Sequence, residues 1–152
     1  MMGDDAVAAW DADQALAWEG MLELGRRLRR RAEDMLVRDH DVSVSMLGMM
    51  GRLRGADRRT LRQSALADAM GLSVSRSSRV IDLLEERGLV TRAQCPSDGR
   101  ATNVMLTDEG IRITESAQHD LFVMVSAAFV GRLSAEESAT LARVFGRLLA
   151  DD

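Results

Sequence analysis

The chain has 152 residues and a formal net charge of −4, with 46% hydrophobic residues, one proline and one cysteine. This length corresponds to one ordinary domain that can bury a sizeable core. No apolar run approaches the roughly 20 residues that span a bilayer, and the acidic start MMGDDAVAAW is unlike the basic beginning of a signal peptide. The lone Cys95 excludes an intramolecular disulfide. We therefore expect a cytoplasmic protein without a membrane partner.

The charge is unevenly distributed along the chain. Residues 1–51 contain six arginines and ten acidic residues, residues 52–100 contain ten and six, and residues 101–152 contain four and eight. The central third therefore carries +4 and each flank −4, which sums to −4. Attraction to phosphates depends on the local patch and not on the sum, so the net charge does not exclude a nucleic-acid partner for the central third.

Two amphipathic helices are predicted in the first third of the chain. Apolar residues recur at helical spacing from Asp13 to about Val37, and a second pattern runs from Ser43 or Ser45 through Leu53.

The next segment, residues 61–90, predicts two short helices joined by a tight turn. Gly71 can adopt the left-handed conformation that ends the first helix. Ser73 is the expected N-cap of the second helix, which ends near Gly88. This layout is typical of a helix-turn-helix.

The second of these helices has two distinct faces. Val80, Ile81 and Leu84 cluster on one side. Short hydroxyls and arginines at the start of a helix suit the major groove, where they can reach base edges and phosphates. Side chains of this kind occupy the other side, at Ser75, Arg76, Ser78 and Arg79.

A β-hairpin is predicted after the helix-turn-helix. Short runs with strand character flank the turn residues 96–99, and Arg100 lies beside the tip. An arginine on such a hairpin can enter the narrow minor groove, where the potential is most negative. Asp98 would repel phosphates on its own, so we interpret it as the orienting partner of Arg100 or Arg92.

Two further helices are predicted at the end of the chain. Thr107 caps a helix to about Val130, and the capping box Ser134–Glu137 begins a last helix that reaches Leu149. Alone, these helices would expose apolar stripes. Pairing with the same surfaces of a second chain would bury them, although a monomeric helical core is the alternative.

The order of these elements, the stretch LLEERGLV, the triplet Asp98-Gly99-Arg100 and the following LTDEG resemble the MarR family of bacterial transcriptional regulators. The resemblance covers about residues 13–150. It implies a mainly α fold with a small β-hairpin wing (α+β), a winged helix-turn-helix with dimerisation helices at both ends. The chain departs from the family at Ser77, where a buried valine or isoleucine is usual.

The resemblance also implies an organisation and a function. We expect a single domain over residues 1–152, with dimerisation helices at 13–37 and 107–150 and a winged helix-turn-helix region at 43–106. The expected activity is sequence-specific binding of double-stranded DNA at an inverted-repeat operator by a homodimer, as a repressor that a small-molecule effector releases. The residues expected to contact DNA are Ser75, Arg76, Ser78, Arg79, Arg92, Asp98 and Arg100.

An effector pocket is predicted where the first two helices meet the helix-turn-helix. Methionines adapt to varied apolar shapes and suit a small aromatic effector, although they fill cores more often than they line pockets. The candidate residues are Trp18, His40, Met46, Met49 and Met50.

Other functions have weaker support in the sequence. His40 between two aspartates lacks the ligand spacing of a metal site, and no catalytic constellation or cofactor motif is present. Two alternatives stay open. One is a redox-responsive regulator that acts through Cys95, beside the wing. The other is a protein-interaction module that kept the fold without DNA binding, for which acidic or bulky residues would be expected at positions 75, 76, 79 and 100.

Overall fold

A computed structural model describes residues 9–150 of the chain. The acidic start, interpreted above as unlike a signal peptide, lies largely outside these residues. Six α-helices make up most of the fold: α1 (Ala12–His40), α2 (Val44–Gly55), α3 (Gln63–Ala69), α4 (Val74–Glu86), α5 (Asp108–Ala128) and α6 (Ala135–Leu148). Three strands form one sheet: β1 (Thr60–Arg62), β2 (Val90–Cys95) and β3 (Asp98–Leu106). Short 3-10 turns occupy Asp57–Arg59 and Val130–Arg132. The winged-helix fold and its mainly helical content are as predicted.

Local capping explains where the helices begin. Asp11 and Gln14 form a reciprocal capping box at the start of α1, and Ser43 caps α2. Thr107 caps α5 through a 3.0 Å bond from the amide of Gly110, and Ser134 opens α6 with the predicted capping box. The first helix continues to His40, three residues beyond its predicted end, because apolar periodicity is a weak signal at a helix terminus.

The sheet has the strand order β1-β3-β2, with antiparallel neighbours. The wing is the hairpin of β2 and β3. Its turn is tighter than predicted, because Asp98 already pairs with Cys95 and only Pro96 and Ser97 lie between the strands. Strand β1 was not predicted; it has only three residues and pairs with β3 at Leu61–Val104.

One hydrophobic core connects the carboxyl-terminal half of α1 to the helix-turn-helix and the sheet. The long helix α5 begins directly against this core. A Cβ at Gly110 would collide with the carbonyl of Leu89 and the side chain of Leu106, so only glycine permits this close approach. The largest fully buried side chains are Leu36, Met49, Met50, Leu53, Leu66, Ile81, Leu84, Leu89, Val42, Val90, Val104 and Thr114.

The terminal helices leave much of their apolar surface uncovered. Leu16 and Phe122 are each 70% exposed, and no residue of α6 is buried. Leu148 and Leu149 are also exposed near the end of α6. Among the described residues, no helix is both long and apolar enough to cross a membrane.

Candidate nucleic-acid interface

The structure orients α4 by burying one side of the helix. Ser73 Oγ accepts a 3.2 Å bond from the amide of Arg76 and fixes the start of the helix. Ser77, Ile81 and Leu84, spaced by one helical turn, are buried against the core. The opposite side of α4 must therefore face outward.

The outward face carries most of the predicted major-groove residues. Ser75, Arg76 and Arg79 are exposed, and Ser78 is partly buried. The guanidinium groups of Arg76 and Arg79 form no ion pair with any carboxylate of residues 9–150. Their charges are thus not neutralised by a neighbour. We call α4 the recognition helix from here on.

Arg92 occupies a different environment from the one predicted. Its Nη1 lies 2.7 Å from carboxylate oxygens of both Asp82 and Glu85, and its Nη2 donates to the carbonyl of Ser78 at 3.3 Å. Partial burial alone would lower the pKa of Arg92, but the two carboxylates outweigh it and raise the pKa. With only 22% of its side chain exposed, Arg92 joins the wing to the recognition helix.

Asp98 also has a partner that the sequence analysis did not foresee. Its carboxylate accepts a 3.1 Å bond from the backbone amide of Arg100, and it lies 3.8 Å from the guanidinium of Arg62. Of the two expected partners, Asp98 therefore contacts Arg100, through its backbone amide, and its side-chain ion pair is with Arg62. Arg92 is held by α4, and the Arg100 side chain is left exposed at the wing.

A groove of about 400 Å³ separates the recognition helix from the wing. Arg62, on β1, and Arg100, on β3, both contribute to its wall. Val74, the first residue of the recognition helix, lines it and is 71% exposed. An exposed apolar side chain at this position suits contact with a thymine methyl group. Val74 and Arg62 were not among the residues predicted to contact DNA, although the position of Val74 directly after the N-cap is a usable signal.

The buried hydroxyl of Ser77 has no partner. Its Oγ is fully buried and makes no hydrogen bond within residues 9–150. A hydroxyl without a partner is unfavourable in an apolar environment, and a methyl group of similar size would be accepted there. The predicted placement of Ser77 on the core side is thus confirmed.

The structure does not bring the five predicted effector residues together in one cavity. Met46, Met49 and Met50 are buried in the core. Trp18 is 48% exposed on α1, with its ring centroid 6.2 Å from that of Trp10 in an edge-on arrangement. The ring of His40 is largely buried, and its Nε2 lies 2.8 Å from the Asp120 carboxylate on α5.

A larger groove, of about 550 Å³, lies between α1, α2 and α5. It stays open at α2 because two glycines face it. A Cβ at Gly48 would lie 2.8 Å from the Met70 side chain, and one at Gly51 would lie 3.1 Å from Gln118. Two exposed arginines and several apolar residues complete the walls: Arg29, Arg52, Ala32, Leu36, Val44, Leu47, Leu72 and Leu121. We call this cavity the α1–α2–α5 groove.

Cys95, at the end of β2, has polar neighbours. Its Sγ lies 3.2 Å from the Ser97 hydroxyl and 3.8 Å from Nη2 of Arg62. The hydrogen bonds from Ser97 lower the pKa of this thiol, and the Arg62 charge contributes further. In the part of the chain that the structure describes, no three His, Cys, Asp or Glu side chains lie close enough to hold a metal ion.

Comparisons with known proteins agree with this geometry. The MarR family model matches residues 56–102, which span β1, the helix-turn-helix and most of the wing. The chain is 30% identical over 137 residues to a protein described as a transcriptional regulator for the hcr operon of Thauera aromatica, covering 86% of this chain and 81% of that protein.

Two solved structures from Streptomyces coelicolor extend the similarity to the whole fold. A MarR family transcriptional regulator in complex with DNA has a TM-score of 0.85 at 29% identity, covering 97% of this chain and 92% of the other. The PcaV transcriptional regulator in complex with its natural ligand has a TM-score of 0.71 at 25% identity, covering 95% and 98%. These relatives are regulators of transcription and not enzymes. The chain therefore belongs to the MarR family of transcriptional regulators, as shown by these relatives and by the family match at residues 56–102, with which the exposed recognition helix agrees.

Proposed function

We propose that this regulator is a homodimeric repressor that binds an inverted-repeat operator and releases it when a small aromatic anion binds. The observation that carries the DNA-binding part is the outward face of the recognition helix. Arg76 and Arg79 project there without a carboxylate partner among residues 9–150, and Ser75 is exposed between the N-cap and these arginines. Such side chains combine phosphate attraction with hydrogen bonding to base edges.

The wing supports a second contact in the same proposal. Arg100 is exposed beside the groove that separates the wing from the recognition helix. An arginine at this position can enter a minor groove next to the major-groove site. The residues proposed to face DNA are Ser75, Arg76, Ser78, Arg79 and Arg100. In this proposal Asp98 supports the turn of the wing, and Arg92 attaches the wing to the recognition helix.

The uncovered apolar surface supports the dimer. Phe122 on α5 and Leu148 on α6 are exposed at separate points of the terminal helices, and Leu16 is exposed on α1. So many large apolar side chains exposed on the terminal helices are uncommon on a monomer and are typical of a subunit interface. A two-fold arrangement places two identical recognition helices about one helical turn of DNA apart, roughly 34–36 Å.

The α1–α2–α5 groove supports effector binding. It touches the helices proposed for dimerisation and also Met70 and Leu72, which form the turn before the recognition helix. A ligand in this groove would favour one arrangement of the dimerisation helices and the recognition helix over another. Such a preference is required if ligand binding is to release the operator. Arg29 and Arg52 at its walls favour a ligand that carries a carboxylate.

The buried residues keep a supporting role in this proposal. Met49 and Met50 are fully buried in the core, and His40 contacts α5 through Asp120. Trp18 lies on the exposed part of α1, where a second chain would cover it.

Selection of bound sites from random duplexes tests the proposal. We expect enrichment of an inverted repeat, and transcription from a promoter that contains it should fall when the protein is present. Enrichment of a single half-site would contradict the dimer, and no enrichment would contradict sequence-specific binding. Aromatic carboxylates are then screened for release of the selected duplex, with Arg52→Met as the variant that should lose the response.

A second candidate, redox control through Cys95, is favoured by one observation. Ser97 and Arg62 both approach the sulfur, and together they favour its thiolate form. Peroxide treatment should then weaken operator binding by the wild type and leave Cys95→Ser unaffected. Equal responses of the two proteins would remove this candidate.

A further inference from the structure

The end of the recognition helix is bound to the end of α1 by a single side chain. Arg87 is the C-cap residue of α4. Its guanidinium donates to the backbone carbonyl oxygens of Asp41 and His40, with 3.3 Å between Nη2 and the His40 oxygen. Nε of Arg87 also lies 3.5 Å from the Asp41 carboxylate. We call this set of contacts the Arg87 bridge.

The two carbonyls are available because of how α1 ends. Asp41 adopts a left-handed conformation, with φ of 54°, and its amide bonds back to the carbonyl of Val37. The carbonyls of His40 and Asp41 lie beyond this bond and have no donor within the helix. The carboxyl end of a helix is also partly negative. Arg87 is the C-cap residue of α4, and its cation stabilises the carboxyl end of α1.

The Arg87 bridge adds polar contacts where the apolar packing between these two ends is incomplete. A groove of about 350 Å³ lies between them, and Val37 and Leu83 on its walls are each half-exposed. The recognition helix packs chiefly on α2, α3 and β2. Leu84, near its carboxyl end, shares the core with Leu36 of α1, and the Arg87 bridge adds a polar link beyond this packing.

The bridge continues to α5 through His40. The carbonyl of His40 receives Arg87, and the ring of His40 is 2.8 Å from Asp120 on α5. The His40 side chain is only 8% exposed, whereas Asp120 is 46% exposed, so this contact lies at the edge of the buried region. Glu33 adds a parallel link, since its carboxylate accepts a 2.8 Å bond from the amide of Val44 at the start of α2.

We propose that Arg87 is a positioning residue for operator recognition. The Arg87 bridge fixes the angle of the recognition helix relative to α1 and α5, and so fixes the separation of the two recognition helices in the dimer. It thereby sets the half-site spacing that the protein accepts. This inference rests on the homodimer of the proposed function.

The test compares operator duplexes that differ only in spacing. The duplex found by selection is used with versions shortened or lengthened by one base pair, a change of about 3.4 Å. Arg87→Met keeps the apolar stem and removes the donors. We expect it to weaken binding to the best duplex by roughly threefold to thirtyfold, the range for residues that transmit coupling, and to reduce the preference for that duplex over the other two.

Salt dependence separates positioning from contact with DNA. An arginine that neutralises a phosphate contributes about one unit to the salt slope of binding. Arg87→Met should leave this slope unchanged. Arg112→Met is the matched control, because Arg112 is exposed on α5 and its one ion pair among residues 9–150 is with Glu109. It should alter neither the spacing preference nor the slope. Asp120→Ala removes the contact between α5 and the His40 ring and should likewise reduce the preference for the selected spacing. This variant tests the inference even if Arg87→Met does not fold.

The outcomes are distinct. An equal loss at all three spacings with a smaller salt slope would make Arg87 a phosphate contact and overturn the inference. An unchanged spacing preference in both Arg87→Met and Asp120→Ala would also overturn it. A wild-type protein that binds all three duplexes equally would instead contradict the two-fold dimer, and the inference with it.

Discussion

The guanidinium of Arg92 on the wing lies 2.7 Å from the carboxylate of Asp82 on the recognition helix. The same nitrogen is 2.7 Å from Glu85, one turn further along. The two elements proposed to enter adjacent grooves of DNA are therefore held as one unit by charged hydrogen bonds. Arg100, eight residues further along the wing, has no such carboxylate partner among the described residues.

The contrast between these arginines gives the first prediction. Arg92→Ala removes hydrogen bonds to charged groups and should lower the free energy of unfolding by about 1–3 kcal/mol. Arg100→Ala changes an exposed side chain and should alter it by no more than about 0.5 kcal/mol, while weakening binding to operators with A·T-rich minor grooves. Urea unfolding and operator titration measure the two effects. Equal stability of the two variants would contradict the role of Arg92.

Arg79 provides the test of the recognition helix. Arg79→Ala should weaken specific operator binding by about 1–3 kcal/mol, because we propose that its guanidinium contacts a base edge or a phosphate. The fold should be unaffected, since the side chain is exposed. Titration of the selected duplex at fixed salt measures the change, with thermal unfolding as the control. Unchanged affinity would remove this face of α4 from DNA recognition.

Variants of Asp98 separate two effects on operator binding: the hydrogen bond that supports the wing turn and the negative charge near DNA. Asp98→Ala removes the acceptor for the Arg100 amide and should weaken operator binding, although it also removes a negative charge near DNA. Asp98→Asn keeps an acceptor oxygen without the charge, and should bind at least as tightly as the wild type. Tighter binding by Asp98→Ala would show that repulsion of phosphate outweighs the support of the turn.

Ser77 gives a prediction about stability. Its buried hydroxyl lacks a partner, so Ser77→Ala should leave the free energy of unfolding unchanged or raise it by about 1 kcal/mol. Ser77→Asn, which adds bulk and more polar groups at the same buried position, should be clearly destabilising. Denaturant unfolding of both variants provides the measurement. A large loss of stability in Ser77→Ala would mean that the hydroxyl has a partner, such as a buried water.

Leu148 tests the dimer. Leu148→Glu places a charge on the apolar side of α6 and should abolish both the dimer and operator binding, because the charge would be stranded against apolar partners. Ala139→Glu is the control: it introduces the same charge nine residues earlier, on the opposite side of the helix, and should change neither. Light scattering reports the assembly. A folded wild-type monomer at micromolar concentration would contradict the dimer.

Much of the fold could be predicted from the sequence because helix and turn signals act over a few residues. Ser73, Thr107 and Ser134 each cap the helix that was expected, and Gly71 takes the left-handed conformation, with φ of 61°. The burial of Ile81 and Leu84 on α4 also follows from helical periodicity, whereas the core position of Ser77 was implied by the family resemblance.

The tertiary structure alone decided which distant side chains meet. Arg92 pairs with Asp82 and Glu85, and Asp98 pairs with Arg62. No local sequence pattern distinguishes these partners from other charged residues nearby. The methionines of α2 match a pocket lining and a core lining equally well in periodicity, and only the packing of α1, α4 and the sheet around them places them in the core. The Arg87 bridge likewise joins residues 46 positions apart. Contacts over such distances depend on the angles between helices, which residue spacing along the chain does not contain.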